Sequence, residues 1–244
     1  MNMIFKITDN EKFISSLQPQ LINRTQNAAL LSQCPHTDVT PEIAAIAVSG
    51  NDRTPVTYAE ATEHHLTQNE ILLVAIQNQT DQPYQMTPIA DILRLSSEES
   101  GPVQLLVLTN QRAILGSSEM LNPVAMDEAS YRLGSPQLYV IPSSTHEVLL
   151  LPHDSGITPD TLDTIIQSVN AQVVAPQDRL ADHTLIYDSR TRSLSEAHDQ
   201  HSRTQESDSS LRSAPPPDKS MKKEPDSTSS DIIPEDSHER RHRT

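Results

Sequence analysis

Four neighbouring residues have side chains that can do chemistry together: Ser143, Ser144, His146 and Glu147. A serine hydroxyl becomes a nucleophile when an imidazole takes its proton and an acid orients the ring. The spacing argues against that use. His146 and Glu147 are adjacent, and neighbouring side chains of an extended segment point to opposite faces. Neither serine lies in a Gly-x-Ser-x-Gly elbow. The preferred reading is a hairpin turn whose hydroxyls satisfy turn amides. No catalytic residue is therefore assigned, and Ser143, Ser144, His146 and Glu147 stand as the candidate centre of an alternative, hydrolase-like reading.

Other reactive side chains give weaker patterns. His64 and His65 diverge on any regular backbone, and bringing His146, His153 and Asp154 together would need a hairpin to converge them. No metal site and no cofactor are expected. The histidines at 198, 201, 238 and 242 read as solvated. Asp160 and Asp163 could form an acid–base pair, but acids at a helix start more often serve the positive end of the helix. Cys34 is the only cysteine, which excludes an internal disulfide, and it has no basic neighbour in sequence to activate its thiol.

Composition divides the 244 residues in two. All seven aromatics precede residue 189, and the last 56 residues are rich in Ser, Pro and charged side chains. The expected organisation is an acidic domain over 1–188 and a disordered polar tail over 189–244. Within that tail, Ile232-Ile233 could anchor a partner. The chain carries a net charge of −15, and only 8 Lys and Arg face 22 Asp and Glu before residue 189. Such a domain repels polyanions, so nucleic-acid binding and adhesion to an anionic membrane are both disfavoured. Met1–Asn10 has no apolar leader core and no apolar run is long enough to span a bilayer, so a cytoplasmic location is expected.

The elements must come from an aliphatic core. A helix capped by Asp9 or Asn10 is expected from Glu11 to Cys34, kinked at Pro19. Ile43–Val48 fits a helix after Thr40-Pro41 or a buried strand, and Thr54–Thr62 an edge strand. Thr67 and Glu70 have capping-box spacing before Ile71 and Leu72. Thr87-Pro88 should open a short helix, with a loop over Ser96–Pro102. Val103–Thr109 reads as a buried strand, and Ser118–Leu133 as a helix stopped by Gly134. Leu138–Ile141 and Glu147–Leu151 read as a hairpin, Thr158-Pro159 as a helix start and Thr184–Tyr187 as a last strand. The sum is an α+β fold, with a mostly antiparallel sheet of about four strands packed with helices.

Several blocks resemble the second half of the bacterial domain of unknown function 5688 family. They are Leu106-Val107-Leu108-Thr109-Asn110, Gly116, Met120-Leu121, Tyr139 through Val148, Val169-Asn170, Leu180-Ala181-Asp182 and Tyr187-Asp188. The family pattern has Pro-Ser-Ser-Ile-His-Glu where this chain has Thr145 in place of Ile. The resemblance covers about residues 60–190, with the family's first half shortened or absent over 1–55. It implies a bacterial protein and a fold, and no reaction. The functional expectation is a non-enzymatic protein-interaction module with an unknown protein partner. The alternatives are the hydrolase above and, more weakly, an acidic inhibitor that mimics nucleic acid.

Overall fold

The computed structural model describes residues 8–95 and 104–198. The loop expected over Ser96–Pro102, and the tail from 199 onward with Ile232-Ile233, lie outside the described residues.

The chain forms α1 (Asp9–Ser16), β1 (Gln18–Asn23), α2 (Ala28–Leu31), β2 (His36–Asp38), β3 (Ile43–Ser49), β4 (Thr54–Pro55), α3 (Tyr58–Glu63), α4 (Gln68–Thr80), β5 (Tyr84–Pro88) and α5 (Ile89–Leu93). It continues with β6 (Leu106–Asn110), a 3-10 turn (Gly116–Leu121), α6 (Pro123–Leu133), β7 (Gln137–Ile141), β8 (Val148–Pro152), α7 (Pro159–Gln172), β9 (Leu185–Asp188) and β10 (Ser193–Glu196). The fold is α+β, and every strand pairing among these elements is antiparallel. In place of one sheet of about four strands there are two. In one, β3 is flanked by β1 and β2 and also pairs with β4; the other runs β10-β9-β7-β8-β6-β5.

The long first helix expected from Glu11 is not formed. Thr8 caps α1 with a capping box to Glu11, the helix stops at Ser16, and Pro19 sits in β1. β1 pairs only with β3, and an edge strand tolerates a residue without an N–H. Ile43–Val48 resolves as a strand, β3, whose alternate residues serve two layers: Ile43, Ala45 and Ala47 enter the main core, while Ala44, Ile46 and Val48 pack with Leu31 and Cys34. The expected edge strand over Thr54–Thr62 is cut to two residues, because Thr57 and Glu60 form a capping box that starts α3. Thr87 and Pro88 close β5, and the helix begins after them. The expected helix from Ser118 is divided at Asn122, whose side chain accepts from the Val124 and Ala125 N–H groups and so caps α6 with Pro123 at its first position.

The main core lies between the two sheets, with α4 and α6, and is lined by Leu21, Ile71, Leu108, Met126, Val140 and Leu150 among others. The outer face of the larger sheet carries a second core, in which Tyr139, Ile141 and Leu151 meet Leu162 and Ile166 of α7. This is the two-residue period of β7 read directly: Leu138 and Val140 face one core, Tyr139 and Ile141 the other.

The fold runs beyond the compositional boundary near residue 189. β10 pairs with β9 from Ser193↔Asp188 to Glu196↔Leu185, and Ala197 is wholly buried against α7's core. The strand was hidden because its alternating pattern is carried by Leu194 alone among serines and a glutamate.

Candidate functional site

The β7–β8 connection contains all four residues of the hydrolase reading and arranges them as a brace. Ser144 Oγ accepts the backbone N–H of His146 at 3.0 Å, which is the turn role expected of such a hydroxyl. His146 Nδ1 accepts the Leu115 N–H at 3.1 Å, so that nitrogen carries no proton. The proton is then on Nε2, which faces Asp178 Oδ1 at 3.5 Å. Both ring nitrogens are thus turned to groups other than a serine. Ser143 contributes its carbonyl to the Leu180 N–H, and Glu147 is exposed. The structure does not bring the four together as nucleophile, base and orienting acid.

The brace holds one segment. The His146 carbonyl accepts from the Gly116 N–H at 2.9 Å and from Thr109 Oγ1 at 2.7 Å. Gly116 is required by this approach: a Cβ there would lie 2.2 Å from Thr109 Oγ1 and 2.5 Å from the Asn110 nitrogen. Asn110 closes the loop on itself, accepting from the Arg112 N–H and donating to the Ile114 carbonyl.

That loop forms one wall of a polar cleft of about 200 Å³. Gln18 of β1, Arg53 of the β3–β4 turn, Gln79 near the end of α4, Arg112, and Ser118 and Glu119 of the 3-10 turn line it. Glu119 is 2% exposed. Burial pushes its carboxyl above the usual carboxylate range, with Gln79, Asn122 and Arg53 pulling the other way. Asn122 Nδ2 donates to Glu119 Oε2 at 3.0 Å. The Gln79 amide leans on the same carboxyl closely enough to lower its pKa, yet neither its nitrogen nor its oxygen makes a well-formed hydrogen bond, and both are buried. Arg53 donates through Nη1 to Gln18 Oε1 and through Nη2 to the Pro19 carbonyl, each at 3.1 Å. Its guanidinium pKa is lowered by burial first and by the nearby Arg112 charge second. Arg53, Ala113 and Leu115 all have φ between 51° and 53°, a region costly for side-chain-bearing residues. Orphaned polar groups, a displaced pKa and left-handed backbone coincide at this one place, as they do at functional sites.

The pattern of the Family of unknown function (DUF5688) matches residues 2–189. The chain belongs to that family. No curated protein and no solved structure matches it. The match reaches further than the expected 60–190 and corrects the expectation that the first half is absent: residues 1–55 fall within it from residue 2 onward, and they supply β1, β3 and Arg53. Every cleft residue therefore lies inside the part shared with DUF5688, while the tail lies beyond it.

The remaining candidates have structural partners. Asp163 accepts from the Thr184 N–H at 2.7 Å, from Thr184 Oγ1 at 2.6 Å, and meets His198 Nε2 at 2.9 Å; Asp160 is exposed. The two acids fasten the end of the fold onto α7, and His198 is engaged there, not solvated. His64 stacks on Phe13 with centroids 3.7 Å apart, and His153 packs on Tyr139. Cys34 is buried, and desolvation raises its thiol pKa, the opposite of activation. Among the described residues no group of three or more His, Cys, Asp or Glu side chains could hold a metal ion, and no helix is long and apolar enough to cross a membrane. A H-E-x-x-H spacing does occur at His238-Glu239-Arg240-Arg241-His242, which the reading of the tail histidines as solvated passes over; it lies outside the described residues.

Sequence reasoning missed the cleft because its residues come from five separate segments with no shared motif. Two signals were present. Gly50-Asn51-Asp52 marks a turn just before Arg53, and Glu119 stands three residues before the capping Asn122, directly before the apolar pair Met120-Leu121.

Proposed function

We propose that this DUF5688 member is a non-enzymatic recognition module and that it reads its ligand, or a polar group presented by a protein partner, in the Arg53–Glu119 cleft. The observation that carries this reading is Gln79: a 6% exposed amide at the cleft that lies against the Glu119 carboxyl without a well-formed hydrogen bond at either its nitrogen or its oxygen. Leaving a buried polar group unpaired costs about 1–3 kcal/mol, a cost that a ligand supplying the missing partner removes. The engagement of Ser144 and His146 in bracing the cleft wall supports recognition over hydrolysis.

Two measurements test it. A polar-metabolite or protein fraction of the source cells should raise the melting temperature of the wild-type chain and not that of Arg112→Ala; a rise that survives the substitution, or none with either fraction, overturns the cleft assignment. A serine-hydrolase probe should leave Ser143 and Ser144 unlabelled, and labelling lost in Ser144→Ala would establish the enzyme instead.

A further inference from the structure

The cleft's charge is opposite to that of its surroundings. Before residue 189 acidic side chains outnumber basic ones by 22 to 8, yet two of those eight, Arg53 and Arg112, converge here. Arg24, Arg132, Arg190 and Arg192 pair with acidic side chains, whereas neither cleft arginine has a carboxylate within ion-pair distance among the described residues. Arg53 is held rigidly by Gln18 and Pro19, and Arg112 is exposed on the Asn110-closed loop. Two guanidinium groups facing one cleft, one of them fixed and its pKa lowered by the other's charge, are a preorganised receptor for an anion.

The floor decides which anion. Glu119 disfavours a dianion such as phosphate beside it. A carboxylate brings one negative charge in the planar shape that a guanidinium fork matches. At about 200 Å³ the space is below the range of about 300–1,000 Å³ typical of drug-sized ligands. A space of that size suits a small acid or a single amino-acid side chain. Gln79 can both donate and accept, which suits a second polar group next to the carboxylate.

Resting on the recognition reading above, we infer that the cleft binds a monoanionic carboxylate of amino-acid size, gripped by Arg53 and Arg112 and oriented by Gln79. The carboxylate belongs to a free small acid or to an acidic side chain of a partner protein.

The test is NMR titration of the full isotope-labelled chain at constant ionic strength with acetate, L-glutamate, the peptide acetyl-Gly-Glu-Gly-amide and inorganic phosphate. Carboxylates should shift the signals of 50–53 and 110–119 saturably. Arg112→Ala, a change at an exposed residue, should weaken them by about 10- to 100-fold while leaving the spectrum of the rest folded. Arg53→Lys, which keeps the charge and loses the fork, should also weaken them. Tighter peptide than glutamate binding identifies the partner side chain as source, and the reverse a free acid; both support the inference. Phosphate binding in the cleft without a carboxylate response overturns the carboxylate and leaves the recognition site standing. A carboxylate response unchanged in both arginine variants also overturns the inference. Silence of these signals to every probe overturns it too, and separates from failure of the cleft itself through the cell-fraction experiment on Arg112→Ala.

Discussion

Replacing His146 separates a brace from a base. In His146→Ala the Leu115 N–H loses the acceptor at 3.1 Å that holds its left-handed backbone, and the 3.5 Å approach to Asp178 disappears. A lost neutral hydrogen bond is worth about 0.5–1.5 kcal/mol. The Asp178 contact joins side chains about a third exposed and contributes at most about 1 kcal/mol. The expected loss is therefore about 1–2 kcal/mol. For a fold of this size that is a fall in melting temperature of roughly 2–8 °C. His146→Asn places an amide oxygen near the position of Nδ1 and should recover most of the loss, although asparagine cannot act as a base. Urea unfolding followed by circular dichroism measures both variants, and carboxylate titration of both shows whether the loop still presents Arg112. Equal stability of His146→Ala and wild type, or an asparagine variant no better than alanine, would refute the brace.

Three further outcomes are expected. Gly116→Ala forces a Cβ to within 2.2–2.8 Å of Thr109 Oγ1, the Asn110 nitrogen and the His146 carbonyl, so it should cost about 2–5 kcal/mol in chemical denaturation; a loss under about 0.5 kcal/mol would mean the approach is not as close as described. Glu119→Gln should be more stable than wild type at pH 7, with a gap that narrows on acidification. Burial raises the folded pKa above 4.5, so Glu119's contribution favours folding below that value and is lost as pH rises through the raised folded pKa, with Arg53, Gln79 and Asn122 opposing the rise and Tyr84 also facing the carboxyl. A gap that does not change with pH in unfolding curves would contradict this. A chain ending at Asp188 should be about 2–4 kcal/mol less stable than one ending at His198, because it lacks the β10 pairing, buried Ala197 and the His198–Asp163 contact. Matching denaturation midpoints would show that 189–198 add nothing to the fold.

Much of the architecture is written in local signals. Thr67 with Glu70, Thr158 with Pro159, and Gly134 mark helix ends by chemistry that acts within one turn, and all three stand where the sequence puts them. The hairpin of β7 and β8 is legible because dense aliphatic runs flank a polar turn. What escapes is set by distant partners. β1 is a strand because β3 offers it an edge, and nothing within Gln18–Asn23 outweighs the helical stripe that Phe13, Ile14, Leu17 and Leu21 suggest. β10 is a strand because β9 needs a neighbour. The cleft is harder still: Arg53 and Arg112 are unremarkable in isolation, and only the packing of β1 and α4 against the 3-10 turn gives their proximity meaning. The Pro-Ser-Ser-x-His-Glu block was visible from the start, but its work as a support follows only once Leu115 and Gly116 are seen beside it.

The loop from Asn110 to Gly116 is anchored at both ends through backbone groups and one asparagine side chain, while Gln111, Arg112, Ala113 and Ile114 project outward. Substitutions at Gln111, Arg112 and Ile114 leave the anchors untouched, whereas Ala113, at φ 52°, sits in a backbone region that penalises β-branched replacements. Changes at 111, 112 and 114 can therefore alter what the cleft wall presents with little penalty to folding, while the frame beneath it stays the same.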